Sequence, residues 1–117
     1  VCTAASRLLV QEEIADEFVE KLLKVAKKIV PGDPLNPSTT FGSMVSEEQM
    51  KTALRYIGTA SGEGNSLRLG GKRVREETGG YYVEPTVFDA VQPSHTLARE
   101  EVFGPVLAVT RFKSPED

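Results

Sequence analysis

The chain has 117 residues, of which 39% are hydrophobic, and a formal net charge of −3 at pH 7. The acidic balance argues against a nucleic-acid-binding domain, which usually carries a basic patch. No apolar run approaches the roughly 20 residues that a membrane-spanning helix needs. One cysteine and one histidine rule out an internal disulfide and a thiolate–imidazole metal cluster. We therefore expect a soluble, metal-free globular segment from a reducing compartment, taken to be the cytoplasm.

Both ends of the sequence look like internal positions of a longer chain. Residue 1 is a valine, and residues 114–117 read SPED. A serine followed by proline and two acids is a helix-start signal. We expect the sequence to be an internal piece of a longer protein, and the isolated piece to self-associate through exposed sheet edges.

The first half of the sequence predicts one strand and two helices. The apolar run RLLV at residues 7–10 suits a buried strand, and apolar residues then recur in steps of three and four until the stop at Pro31. The predicted core face of this first helix comprises Ile14, Phe18, Leu22, Val25, Ala26 and Ile29. A capping-box pattern at residues 46–49 begins the second helix. Its predicted buried stripe comprises Met50, Ala53, Leu54, Ile57 and Ala60.

The second half predicts mostly strands. Residues 66–69 form a strand with Leu67 and Leu69 on one face, and residues 72–80 form a polar loop. Residues 81–88 are extended, although Pro85 places part of this stretch at an edge or a bulge. The run VLAVTRF at residues 106–112 is typical of a parallel strand. The predicted fold class is α/β, with a partly parallel sheet flanked by helices.

Cys2 is the first candidate for chemistry. The small residues Thr3, Ala4 and Ala5 leave space for a substrate beside its sulfur, and a nearby positive element would favour the thiolate. A lone cysteine is more often a small buried hydrophobic residue. A cysteine hydrolase would require a histidine against Cys2, and we expect His95 to be exposed in a polar loop.

The segment REEVFGPV at residues 99–106 is the second candidate. Its two adjacent acids point in different directions, so at most one of them faces a given pocket. A carboxylate such as that of Glu101 accepts hydrogen bonds from two vicinal hydroxyls, as on a ribose, and Phe103 offers an aromatic face to a flat heterocycle. The alternative is a solvated acidic turn with Phe103 in the core. The glycines of residues 62–71 match no phosphate-binding motif, so a turn is favoured over an anion site there.

Taken together, these segments resemble the NAD(P)-dependent aldehyde dehydrogenase superfamily. VCTAASR at residues 1–7 is similar to the family's nucleophile motif, and residues 99–106 are similar to its E-E-x-F-G-P-V motif. Between them, the Gly-Asp-Pro at residues 32–34, the Phe-Gly pair at residues 41–42 and YVEPTVF at residues 82–88 match in order and spacing. The resemblance covers essentially the whole chain.

The resemblance implies a mechanism and a set of site residues. Cys2 would add to an aldehyde carbonyl to give a thiohemiacetal, whose oxyanion would be held by the Cys2 backbone N–H and a side-chain amide outside this chain. Hydride transfer to NAD or NADP would leave a thioester that water hydrolyses to the acid. Glu101 would bind the ribose next to the nicotinamide, and Phe103 would pack near the nicotinamide ring.

The resemblance also implies what the sequence lacks. Residues 1–117 would be a segment of the catalytic domain, without the cofactor-binding domain, the general-base glutamate or the oligomerisation segment. We expect the isolated chain to be inactive and the parent protein to be a homo-oligomer, either a dimer or a tetramer. The sequence looks similar to enzymes acting on aminoaldehydes such as γ-glutamyl-aminobutyraldehyde. A catalytically silent structural or regulatory module derived from this fold is the alternative.

Overall fold

The computed structural model describes residues 3–117. Its elements are, in chain order, β1 (Arg7–Gln11), α1 (Glu12–Ala26), α2 (Glu47–Gly62), β2 (Ser66–Leu69), β3 (Arg73–Val74), β4 (Tyr82–Val83), β5 (Thr86–Asp89), α3 (Thr96–Arg99) and β6 (Val106–Phe112). A short 3-10 turn over Glu76–Thr78 lies between β3 and β4.

Four of the strands form one mixed sheet in the order β1-β6-β5-β2. Strand β6 pairs in parallel with both β1 and β5, whereas β2 pairs antiparallel with β5. The prediction of a partly parallel sheet is therefore confirmed. The two central strands, β6 and β5, are the most buried of the sheet because helices cover both of their faces. Strand β1 exists where it was predicted, but the prediction that it is buried was wrong: it lies at the sheet edge, and only Val10 is buried. Side chains alternate between two core clusters, so that Val87 and Val109 face α1 while Phe88 and Ala108 lie with the residues of α2 and α3.

Helix α1 exists where it was predicted, but it buries a different face. The residues packed in the core are Ala15, Val19, Leu23 and Ala26. Of the predicted face, only Ala26 is buried, and Ile14, Phe18 and Val25 are 53%, 42% and 62% exposed. The prediction was wrong because apolar residues occupy two adjacent stripes of this helix, both with steps of three and four. Contact with Val10 and Val109 of the sheet selects the stripe one residue further on. The helix also ends at Ala26, before the predicted Ile29.

Helix α2 confirms its prediction in detail. The Ser46 hydroxyl accepts a hydrogen bond from the Gln49 backbone N–H at 3.2 Å, as the capping-box pattern requires. Met50, Ala53, Ile57 and Ala60 are buried, and Leu54 packs partly against the same cluster. The helix thus presents one apolar face to the sheet and to α3.

Residues 66–83 depart from the prediction in two places. A bulge shifts the β2 register between Leu67 and Leu69, so Leu67 is exposed while Leu69 packs against the core; the two do not share one face. The predicted loop over residues 72–80 contains β3, which pairs with β4, and the 3-10 turn. These elements are too short to show a hydrophobic period.

The segment that follows β4 also differs in part from the prediction. Pro85 separates β4 from β5, which confirms an interruption there, although β5 itself lies between β6 and β2 inside the sheet. At the preceding turn, a Cβ on Gly70 would collide with the carbonyl oxygen of Pro85, and the φ of Gly70 is +75°. The Gly71 N–H is occupied by a hydrogen bond to Thr86 Oγ1 at 2.9 Å, which agrees with a turn and not an anion site.

Candidate functional site

A cleft of about 930 Å³ lies at the edge of the sheet where the three parallel strands begin. Four separate stretches of the chain supply most of its lining. They are the segment before β1 (Ala4 and Ala5), helix α1 with the residues after it (Leu22, Ala26 and Ile29), residues 41–45, and residues 103–107. Residues 85–87 and Gln49 complete it. Most of these side chains are apolar, so the cleft suits the flat or aliphatic part of a ligand.

The parallel pairing of β1 with β6 explains why two distant motifs meet at this cleft. The starts of parallel strands lie at the same edge of a sheet, and Arg7 is opposite Ala108 in the register. The Ser6 carbonyl accepts a hydrogen bond from the Ala108 N–H at 3.0 Å, which extends the pairing toward the motif at residues 1–7. The segments just before β1 and just before β6 are therefore neighbours.

Cys2 lies outside the described residues. Two residues after it, Ala4 lines the cleft, and so does Phe103 of the second motif. Phe103 is 56% exposed, so the alternative interpretation, which placed its side chain in the core, is wrong. Glu101 is exposed at the beginning of the same turn, but it is not part of the cleft lining.

The two adjacent acids of the turn have different surroundings. Glu100 Oε1 accepts a hydrogen bond from the Tyr56 hydroxyl of α2 at 3.0 Å. This bond raises the pKa of Tyr56 above its ordinary value, with burial and the charge of Glu100 acting in the same direction. Among residues 3–117, Glu101 makes no comparable side-chain hydrogen bond. Within the part of the chain that the structure describes, the Glu100 carboxylate is thus held by a side chain of α2, and the exposed Glu101 carboxylate is not.

His95 lies away from the cleft lining and is more enclosed than predicted. It is half-buried, and its Nδ1 lies 2.6 Å from Oδ1 of the buried Asn65. The expectation of an exposed loop histidine is wrong because α3, missed from the sequence, begins at the next residue. Glu63 accepts hydrogen bonds from the Thr96 N–H and hydroxyl at 3.0 and 3.1 Å, which fixes this short helix against the end of α2.

A buried ionic network on the α1 side of the sheet was also missed. Asp89 at the end of β5 is 3% exposed, and its carboxylate contacts Arg111 Nη2 at 2.7 Å and Arg68 Nη1 at 3.4 Å. The two arginines reach Asp16 and Glu20 of α1, each at 2.7 Å. Burial acts to raise the pKa of Asp89, but the hydrogen bonds from Arg111 and the Ala90 N–H, with the arginine charges, hold it below its usual value. This network joins α1 to the sheet and lies outside the cleft.

A family model described as the aldehyde dehydrogenase family matches residues 1–117. The chain belongs to the aldehyde dehydrogenase family. A peroxisomal aminoaldehyde dehydrogenase 1 of Pisum sativum is 47% identical over 117 residues, which are 100% of this chain and 23% of that relative. The α/β sheet described above is thus part of an aldehyde dehydrogenase fold.

Solved aldehyde dehydrogenase structures share this arrangement closely. A γ-glutamyl-γ-aminobutyraldehyde dehydrogenase from Burkholderia cenocepacia superposes with a TM-score of 0.94 at 50% identity, covering 99% of this chain and 23% of that one. An indole-3-acetaldehyde dehydrogenase of P. syringae, solved in complex with NAD+ and IAA, superposes with a TM-score of 0.96 at 46% identity. That match also covers 99% of this chain and 23% of the other. The chain therefore spans about a quarter of the length of these aldehyde dehydrogenases.

The names of related aldehyde dehydrogenases cover several compartments. They include peroxisomal, chloroplastic and mitochondrial enzymes, so the expected cytoplasmic location stays a prediction. Within residues 3–117, no helix is long and apolar enough to cross a membrane. In the same described range, no group of three or more His, Cys, Asp or Glu side chains is arranged to hold a metal ion.

Proposed function

We propose that this chain is the part of an NAD(P)-dependent aldehyde dehydrogenase that carries the nucleophilic cysteine and the turn that binds the nicotinamide half of the cofactor. The observation that carries the proposal is the cleft, to which Ala4 and Ala5 of the first motif and residues 103–105 of the second both contribute. Chain connectivity keeps Cys2 two residues from Ala4. A nucleophile and a cofactor-binding turn must be this close if hydride is to leave a carbon bonded to the sulfur.

The residues of the turn fit a nicotinamide riboside. Glu101 offers an exposed carboxylate that can accept hydrogen bonds from two vicinal hydroxyls. Phe103 offers an exposed ring at the cleft, on which a flat heterocycle can pack. A dinucleotide bound here would supply the hydride acceptor for the reaction.

The steps assigned to this chain begin at Cys2. Its thiolate forms a bond to the aldehyde carbon, and the carbonyl electron pair moves to oxygen, where the Cys2 N–H donates a hydrogen bond. Loss of hydride from that carbon converts the thiohemiacetal to a thioester. Attack by water on the thioester releases the carboxylic acid and returns the thiol. The base that activates water and the second oxyanion donor would come from parts of the protein outside this sequence.

Substitution of Cys2 in the protein that carries this sequence tests the proposal. We expect Cys2→Ser to lower kcat for aldehyde oxidation by at least about a thousandfold, because a serine hydroxyl stays protonated without an adjacent base. The dissociation constant for NAD+, measured by fluorescence titration, should change little. Full activity of Cys2→Ser would contradict the proposal and would favour the catalytically silent module.

The reactivity of the thiol gives a second, independent test. A nucleophilic Cys2 should react with iodoacetamide below the pH at which an ordinary thiol ionises, about 8.5. The rate of labelling as a function of pH measures this directly, because the sequence contains one cysteine. In a full-length protein with further cysteines, mass spectrometry of the labelled peptide separates Cys2 from the others. A labelling midpoint at the ordinary value would weaken its assignment as nucleophile.

The substrate class is part of the same proposal. Relatives named as aminoaldehyde and γ-glutamyl-γ-aminobutyraldehyde dehydrogenases are 47% and 50% identical to this chain, which supports an aminoaldehyde substrate. A panel of aminoaldehydes and unsubstituted aliphatic aldehydes should give higher kcat/KM for the former. Equal kcat/KM for both sets would remove the specialisation and leave the oxidation itself in place.

Residues 1–117 are proposed to be a segment of the catalytic domain, and the parent protein a homodimer or homotetramer. The 23% share of its relatives' length supports the first statement. The isolated chain should neither bind NAD+ tightly nor produce NADH from an aldehyde. Steady-state NADH production by the purified 117-residue chain would contradict this, and sedimentation of the full protein tests the oligomer.

A further inference from the structure

Two hydrogen bonds between residues far apart in sequence hold the segment that leads into the cofactor turn. The Arg7 guanidinium on β1 donates to the Ala98 carbonyl of α3 at 2.8 Å. The Tyr56 hydroxyl on α2 donates to Glu100 Oε1 at 3.0 Å. One bond therefore begins five residues after Cys2, and the other ends one residue before Glu101.

The backbone of the turn packs against the same face of α2. A Cβ on Gly104 would lie 3.3 Å from the Cβ of Ala53, which is tighter than most contacts between side chains. Ala53 and Tyr56 are three residues apart, so they share a face of the helix. Val102 is buried in the core cluster that α2 contributes to. Helix α2 thus lies against the turn near Glu100, Val102 and Gly104. Only Val102 of this turn is buried, and the side chains of Glu101 and Phe103 are exposed.

We propose that Tyr56 and Arg7 are positioning residues for the cofactor turn, with Tyr56 holding Glu100 so that Glu101 is presented toward the ribose, and Arg7 fixing α3 relative to the strand that follows Cys2. The proposal rests on the proposed function, because it assumes that Glu101 binds the ribose. Without the Tyr56 bond, the Glu100 side chain is released from α2, and the neighbouring backbone that carries Glu101 can adopt several orientations, of which the binding-competent one is only one. The apparent affinity for the cofactor falls by the fraction of molecules that keep the competent arrangement.

The test compares Tyr56→Phe with Tyr81→Phe in the protein that carries this sequence. Both variants remove one phenolic oxygen, but only the Tyr56 hydroxyl donates to the turn among the bonds of residues 3–117. We expect Tyr56→Phe to raise the dissociation constant of NAD+ about fivefold, as for loss of one hydrogen bond to a charged group at a solvated site. Tyr81→Phe should leave it unchanged. Direct titration of NAD+ binding gives this readout without turnover.

Kinetic and stability measurements separate positioning from a structural role. For Tyr56→Phe, the KM for NAD+ should rise while the KM for the aldehyde and the melting temperature stay near the wild-type values. Glu100→Gln keeps an oxygen acceptor and should retain most of the affinity, whereas Glu100→Ala should resemble Tyr56→Phe. The double variant Tyr56→Phe/Glu100→Ala should be no weaker in binding than either single variant.

Arg7 is tested by the same titration. Arg7→Lys keeps a donor of shorter reach and should weaken NAD+ binding less than Arg7→Ala. If the wild type binds NAD+ and Tyr56→Phe and Arg7→Ala bind it equally well, the positioning proposal is overturned and the proposed function stands. If the wild-type protein neither binds NAD+ nor oxidises an aldehyde, the proposed function itself fails.

Discussion

Helices α1 and α2 have similar lengths and similar apolar spacing, yet the sequence predicts the packing of one correctly and of the other incorrectly. On α2 the buried residues form one stripe, and their apolar neighbours Leu54 and Tyr56 pack against the same core cluster. On α1 the apolar residues form adjacent pairs, such as Ile14 with Ala15 and Phe18 with Val19. A wide apolar band identifies a helix without fixing which side of the band is buried.

The residues of α1 that pack against the sheet have smaller side chains than their exposed neighbours. Ala15 and Val19 are fully buried against Val10 and Val109, while the larger Phe18 remains 42% exposed. Small side chains let the helix axis approach the sheet closely. The larger apolar residues of α1 then form an exposed stripe, consistent with a chain that spans about a quarter of its relatives' length.

The largest expected effect tests this choice of face. In the isolated chain, Val19→Asp should destabilise the fold by more than about 4 kcal/mol, because a charge without a partner would be buried between α1 and the sheet. Its neighbour Phe18 provides the matched control. Phe18→Asp should leave the circular dichroism spectrum native and should increase the fraction of monomer in sedimentation. Unfolding of Phe18→Asp alone would show that the face predicted from the sequence is the buried one, and unfolding of both variants would show that both stripes of α1 are required for the fold.

Comparable reasons explain what else the sequence could and could not predict. The apolar runs within residues 7–10 and 106–112 indicated two strands, so their existence and the partly parallel sheet followed from the pattern. The burial of β1 did not follow, because a short apolar run does not show whether its strand lies inside the sheet or at its edge. The missed elements, β3 and α3, have two and four residues and depend on tertiary contacts, such as the hydrogen bonds from Thr96 to Glu63. No periodic signal exists at that length.

The candidate site, like the fold, could be predicted only in part from the sequence. The chemistry of Cys2, Glu101 and Phe103 was assigned from residue types and from the family resemblance, and their roles remain predictions. That the flanking segments meet at one cleft depends on the parallel register of β1 and β6, which no local pattern encodes. The Tyr56–Glu100 bond joins residues 44 positions apart and left no signal in the sequence beyond the two residue types.

A smaller effect is expected for the ionic network that attaches α1 to the sheet. In the protein that carries this sequence, Asp89→Ala should lower the free energy of unfolding by about 2 kcal/mol, because it leaves Arg68 and Arg111 without their shared buried partner. Both arginines retain an exposed acid on α1, which limits the loss. Urea denaturation measures the change. Glu17→Ala, which removes an exposed ion pair with Lys21, should leave stability unchanged, and an equal loss in both variants would contradict the special role of Asp89.

The same carboxylate predicts a dependence on pH. The pKa of Asp89 is lower in the folded state than its unfolded value of about 3.9, so its contribution is fully present above about pH 5 and is lost as pH falls below 4. The stability difference between wild type and Asp89→Asn should therefore be constant near neutral pH and should shrink on acidification. A difference that grows below about pH 4 would mean that the sign of the shift is wrong.

The smallest expected effect concerns how the two helices begin. Ser46 caps α2 through its side chain, whereas Gln11 at the corresponding position of α1 makes no side-chain cap. Ser46→Ala should therefore destabilise the protein by about 1 kcal/mol, and Gln11→Ala should have a smaller effect. Amide exchange locates the change, because the Gln49 N–H loses its acceptor and should exchange faster in Ser46→Ala alone. If Gln11→Ala were the more destabilising of the two, the start of α1 would depend on a contact of Gln11 other than capping, and the contrast between the helix starts would not hold.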